Sequence, residues 1–180
     1  MNDLCEHEGI RLVPYVKLDG AYILTDAYLH WLWARFEEEG TAEKVWLVGE
    51  VAGGDAFVEY MRMPGNLPIF FFELANHKPL GMAWLNGISG NHAFVHHALL
   101  KASWGRLTDS IAHAAFRYWF GMTADQNGIL DVIIGQTPSN NRKAVKFLKR
   151  VGFTVIGEIP KIAGGDAMTI SYLERDNGQE

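Results

Sequence analysis

One cysteine, Cys5, stands in a chain of 180 residues, so the protein forms no internal disulfide and no cysteine-rich zinc site. Nowhere do apolar residues run long enough to cross a membrane as a helix. The opening Met-Asn-Asp-Leu-Cys-Glu has neither the basic flank nor the apolar core of a secretion signal, and a cytoplasmic protein is expected. Positive charge is the scarcer sign: 16 Lys and Arg against 21 Asp and Glu leave a net charge of −5. Neither nucleic acid nor an anionic membrane is therefore an expected partner, although Arg142 to Arg150 is a local basic patch. No zinc-protease spacing of His and Glu occurs, so no metal is expected, and there is no Gly-x-Ser-x-Gly elbow or Walker-type loop. Repeats, low-complexity segments and linkers are absent, which predicts a single domain over 1–180 with 174–180 as a frayed tail.

What is present is an ordinary globular composition, 48% hydrophobic and 21% charged, enough for one full core. The chain is organised around Ile129 to Phe153. Ile129 to Gly135 is a short apolar run of the kind a buried strand uses, and Pro138, Ser139 and Asn140 break it. Ala144, Phe147, Leu148 and Val151 then fall at i, i+3, i+4 and i+7, one apolar helical face, with Arg142, Lys143, Lys146, Lys149 and Arg150 opposite. Gly152 sits where a helix ends in the left-handed conformation, and Phe153 is expected to fold back onto Leu148.

Earlier in the chain, Ile10 to Leu18 predicts a strand made edge-like or bulged by Pro14, followed by an Asp19-Gly20 turn. Thr25 or Asp26 caps a helix with Leu29, Leu32, Trp33 and Phe36 inward and Gly40 as its stop. Ala42 to Val51 reads as a short helix, and Asp55 to Met63 as another, ended by Pro64-Gly65-Asn66. The many aromatics of this half serve as core, as an acceptor wall or as a homodimer face. Pro68 to Leu74, Pro79 to Ile88 and His92 to Leu100 are three strands joined by short turns, an antiparallel meander. Leu107 to Met122 is a helix whose polar stripe is Arg106, Ser110, His113 and Arg117. Phe153 to Ile159 and Ala167 to Leu173 form a hairpin through Gly164-Gly165. This order predicts an α+β fold, a mixed sheet with helices on both faces.

Asn141-x-x-Ala144-Val145-x-Phe147-Leu148-x-Arg150-x-Gly152-Phe153 resembles the late motif of the GNAT family of N-acetyltransferases, in which an Asn opens a helix that ends in Gly-Phe before a hairpin. The resemblance extends from about Phe94 to the C-terminus. It implies a GNAT-like, mostly antiparallel central sheet, acetyl-coenzyme A as co-substrate, and an amine acceptor on a small molecule or protein. The helices after the first strand would form much of the acceptor pocket. The family's Gln/Arg-x-x-Gly-x-Gly/Ala loop, which presents helix N-terminal amides to a pyrophosphate, falls on Ala102 to Leu107. Gly105 matches its first glycine, Leu107 replaces the second, Ala102 replaces the Gln or Arg, and Lys101 and Arg106 supply charge. The resemblance further implies cofactor contacts from Leu100 and Ile134 on the two strands beside the loop, and from Asn140, Asn141 and Lys143 at the start of the late helix.

Amine acetylation also needs a base, because an ammonium cannot attack. His96 and His97 stand on the strand entering the loop, and alternation sends them to opposite faces. The family's tyrosine acid corresponds to Leu148 here, and Tyr172 on the last strand is a substitute candidate. With Ala102, Leu107 and Leu148 all departing from the pattern, a second reading stays open: the same fold as a non-catalytic binding or interaction module.

Overall fold

The computed structural model describes residues 6–46, 51–121, 130–163 and 166–175. The expected positions Cys5, Ile129, Met122 and Gly164-Gly165, and most of the tail, lie outside these. The elements in order are β1 (Glu6–His7), β2 (Ile10–Pro14), β3 (Lys17–Leu18), β4 (Ala21–Tyr22), α1 (Asp26–Glu38), α2 (Ala42–Val45), α3 (Gly54–Met61), β5 (Leu67–Glu73), β6 (Pro79–Ser89) and β7 (His92–Leu99). There follow α4 (Arg106–Phe120), β8 (Val132–Pro138), α5 (Arg142–Arg150), β9 (Thr154–Ala163) and β10 (Asp166–Glu174). The main sheet has eight strands in the order β1-β2-β5-β6-β7-β8-β10-β9. Every neighbouring pair is antiparallel except β7 and β8.

Helices cover both faces, as the α+β reading expects. On one face α4 and α5 bury Ile111, Ala115, Trp119, Leu148 and Val151 against Ile69, Phe71, Ala83 and Leu85. On the other, α1 and α3 bury Leu32, Phe36, Phe57 and Met61 against Phe70, Met82, Trp84 and Ala98. Alternate residues of β5 and β6 thus enter two different cores, which is why Pro68 to Phe72 is apolar throughout rather than alternating. The inward face of α1 is the expected Leu29, Leu32, Trp33 and Phe36, and the Thr25 side chain caps it by accepting from the Tyr28 N–H.

Three details differ from the sequence pattern. The first strand stops at Pro14, and Lys17–Leu18 pairs with Ala21–Tyr22 in a separate hairpin instead. Β-strand β8 does not break before Pro138; Thr137 and Pro138 remain paired with Thr169 and Met168 of β10. The Ser139 N–H donates to the Ala167 carbonyl, so strand alternation puts the missing N–H of Pro138 on the side away from β10. On β10 two small polar residues are buried, Ser171 at 0% and Thr169 at 2% exposed, along with Met168, while Ile170 and Tyr172 are half-buried. Thr169 shares a hydrogen bond of 2.9 Å with Ser139, and Ser171 Oγ donates to the Gly135 carbonyl at 3.4 Å, where a Cβ at position 135 would stand 2.8 Å from that Oγ.

Candidate functional site

The parallel pairing of β7 and β8 runs from His92 opposite Val132 to Val95 opposite Gly135 and ends there. Both strands continue, to Leu99 and to Pro138, without pairing with each other. Strand edges that separate leave main-chain polar groups in need of other partners. The gap opens into a cleft of about 650 Å³. Its walls are His97 and Leu99 of β7, Trp104 and Thr108 at the start of α4, Pro138, Asn140 and Asn141 after β8, Lys143, Ala144 and Phe147 of α5, and Thr41, Lys44 and Val45 around α2. Two lysines and no carboxylate line it, in a chain of net negative charge.

Local sequence explains this shape. Asn141 caps α5 by accepting from the Ala144 N–H at 3.2 Å, and Gly152, at φ +99°, turns the chain after it. The Phe153 N–H donates to the Leu148 carbonyl at 2.9 Å. The apolar face of α5 then divides: Leu148 and Val151 are buried in the core, whereas Ala144 and Phe147 turn half-buried toward the cleft. At the other wall Gly105, at φ +89°, leads into α4, and no side chain caps that helix. Asp109 in its first turn would repel an anion, but its carboxylate accepts a two-pronged bond from Arg150 of α5 at 2.7 and 2.8 Å. Trp104 stands at the rim, 57% exposed, and does not fill the gap.

Of the residues singled out in sequence, the cleft gathers His97, Asn140, Asn141 and Lys143. Leu100 is buried in the other core, with Ala98 and Trp84. Lys101 is exposed, and its N–H donates at 2.6 Å to Glu39, whose carboxylate also accepts from Arg35. Gly105 is exposed beside the rim, and Arg106 opens α4. Leu107 packs toward Glu8 and Leu74, away from the cleft. Ile134 and Tyr172 face one another across β8 and β10, outside the cleft walls. Sequence reasoning passed over Thr41, Lys44 and Val45, which reach the gap only through the tertiary fold. Ala144 and Phe147 carried a signal, since they lie on the helix that Asn141 opens.

The two histidines divide as alternation predicts. His96 lies in the α1 and α3 core, stacked on Trp84 at 5.0 Å, which in turn stacks on Trp46 at 5.4 Å. Its Nε2 bonds the Asn86 Oδ1 at 3.0 Å, so with the amide oxygen accepting, the ring proton is on Nε2. Burial, with a smaller contribution from His97, pulls its pKa down to about 4. His97 is half-buried on the opposite face, its ring 5.8 Å from that of Phe147, and burial lowers its pKa too.

Both imidazoles are neutral in the fold and bind a proton readily once the chain unfolds. Stability is accordingly full above about pH 6.5 and is lost as pH falls toward about 4, by roughly 3 kcal/mol from His96 across that window. Denaturant unfolding at several pH values measures this. His96→Gln, which keeps a donor for Asn86, should flatten the acid limb; an unaltered limb would remove His96 as its cause.

No family model matches the sequence, and no curated protein resembles it in sequence. Solved structures do share its architecture. A ribosomal-protein-alanine acetyltransferase from Vibrio fischeri superposes with a TM-score of 0.69 at 16% identity, covering 97% of this chain and 98% of that one. A spermidine N-acetyltransferase from Vibrio cholerae, solved in complex with coenzyme A and spermine, does so at 0.67 and 16% identity, covering 91% and 95%. At these identities the likeness concerns the fold, which is the GNAT fold implied by the late motif. No helix among the described residues is long and apolar enough to cross a membrane.

Proposed function

We propose that this protein is an acetyl-coenzyme A-dependent N-acetyltransferase acting on an amine of a small molecule or a protein. The observation that carries the reading is the end of β7–β8 pairing at Val95 and Gly135, with the cleft opening beyond it. A pantetheine arm carries amides that can replace the missing strand partner. Lys44 and Lys143 suit its phosphates, and the uncapped start of α4 offers main-chain N–H groups nearby. The supporting analogy is the spermidine enzyme of the same fold solved with coenzyme A.

In the reaction the amine nitrogen attacks the thioester carbonyl carbon. A C–N bond forms, the C–S bond breaks, and the leaving thiolate takes up a proton. The attacking amine must first lose one, and His97 is the group we assign to accept it, because it lines the cleft and burial keeps it neutral near pH 7. We assign His96 a structural role, since its ring is held by Trp84 and Asn86. Leu148, 5% exposed in the core, offers no acid, and Tyr172 stands outside the cleft walls. Those two facts favour a second reading, a module that binds coenzyme A without turnover.

Calorimetric titration with coenzyme A, followed by thiol release across a panel of amines, tests both. His97→Ala should lower kcat by about 10²–10⁴-fold with a smaller change in the KM for acetyl-coenzyme A. Saturable binding with no turnover on any amine supports the second reading, unchanged turnover in His97→Ala removes the base assignment, and no binding at millimolar ligand removes both readings.

A further inference from the structure

The polar stripe of α4 takes no part in the cleft, yet it is not simply solvated. The turn from β1 to β2 docks on it. Ser110 Oγ donates to Glu8 Oε2 at 2.9 Å, and Arg117 Nη1 donates to His7 Nδ1 at 3.0 Å. Glu8 holds a left-handed backbone, φ +47°, unusual for a residue with a side chain, and this sets its carboxylate against the helix. The remaining oxygen, Oε1, lies 3.8 Å from His7 Nε2. The ligand atoms of His7, Glu8 and His113 fall within 4.8 Å of one another, a grouping with no counterpart among the described residues.

We propose that His7, Glu8 and His113 form a site for a divalent transition metal of the zinc or nickel class, which fastens the two-residue edge strand β1 to α4. Two imidazoles and one carboxylate are a donor set that such ions accept, with water completing the shell. A tetrahedral ion about 2.0–2.1 Å from each ligand spaces the ligand atoms roughly 3.3 Å apart. The three side chains must therefore draw inward, which rotation allows because Glu8 and His113 are exposed and His7 is half-buried. No sequence spacing announces the site, because its ligands come from the first strand, the turn after it and a helix far along the chain.

Arg117 competes with the ion. An arginine only donates, so Nδ1 of His7 accepts, and the neutral ring carries its proton on Nε2, toward Glu8. Metal at Nε2 requires that proton to move to Nδ1 and Arg117 to leave, and the guanidinium repels the incoming charge. A network that were only structural would weaken when Arg117 is lost; a metal site tightens.

The test uses the full, untagged chain with Cys5→Ser, so that its one thiol takes no part. Zinc chloride and nickel chloride are titrated by calorimetry and by thermal melting. One ion per chain should bind, with a rise in melting midpoint of roughly 5–10 °C at about one hundred times Kd, reversed by EDTA. His113→Ala should weaken binding at least about tenfold, and Arg117→Gln should tighten it. Circular dichroism without metal checks that each variant is folded, and Glu8→Gln serves as a second ligand variant. No saturable binding below about 1 mM of either ion overturns the proposal, as does a midpoint shift that survives in both His113→Ala and Glu8→Gln.

Discussion

Ala144→Trp is expected to weaken coenzyme A binding by more than about a hundredfold, a loss of roughly 3 kcal/mol, while the melting midpoint moves by no more than about 2 °C. Ala144 occupies the first turn of α5, where its methyl group faces the cleft beside Phe147. An indole there would occupy the space between the diverging ends of β7 and β8. The fold should tolerate it, because Ala144 donates to the Asn141 side chain through its main-chain N–H, which the substitution keeps, and the position is only half-buried. Lys149→Trp, on the exposed side of the same helix, is the control and should leave both quantities unchanged. If the wild type binds coenzyme A and Ala144→Trp binds it equally well, the ligand sits elsewhere.

Gly81→Ala should destabilise the protein by about 4 kcal/mol, the largest stability effect we expect from adding one methyl group. Gly81 lies in β6 between Phe71 and Leu99, with φ +130°. An added Cβ would stand 2.4 Å from the Ala98 carbonyl oxygen and 2.7 Å from the Leu99 Cα, both main-chain atoms that cannot rotate aside. Relief requires β6 and β7 to part, next to the residue that forms one wall of the cleft. Gly65→Ala makes a useful comparison, since its φ of +89° is also left-handed but nothing lies within 4 Å of the added atom. Urea unfolding of the two variants separates conformational strain from collision. Equal losses would show that the approach of Ala98 carries no weight.

The parts of the fold written in neighbouring residues were legible. Asn141, the apolar spacing of α5 and Gly152 each act within a few residues, and together they delimit that helix closely. Thr25 does the same for α1. Periodicity also separated His96 from His97 by face, but it could not tell which face held the gap, because that depends on where β7 and β8 part. The same limit applies to α5. Its four apolar positions look equivalent in sequence, and only packing divides them into Leu148 and Val151 for the core and Ala144 and Phe147 for the cleft. Thr169 and Ser171 show the same limit: small polar groups face inward where Ser139 bonds the one and the Gly135 carbonyl accepts from the other. Residues such as Thr41 and Lys44, just before and within a four-residue helix, carried no local sign that they belong to the site at all.

The carboxylate of Glu39, at the C-terminal end of α1, holds the main chain of Lys101 just past the end of β7. That bond, next to Leu100 packed in the same core as Leu32 and Phe36, ties the aromatic helical half to the approach to α4. A tilt of α1 in response to something bound against it would pull on the peptide that leads into Trp104 and Gly105.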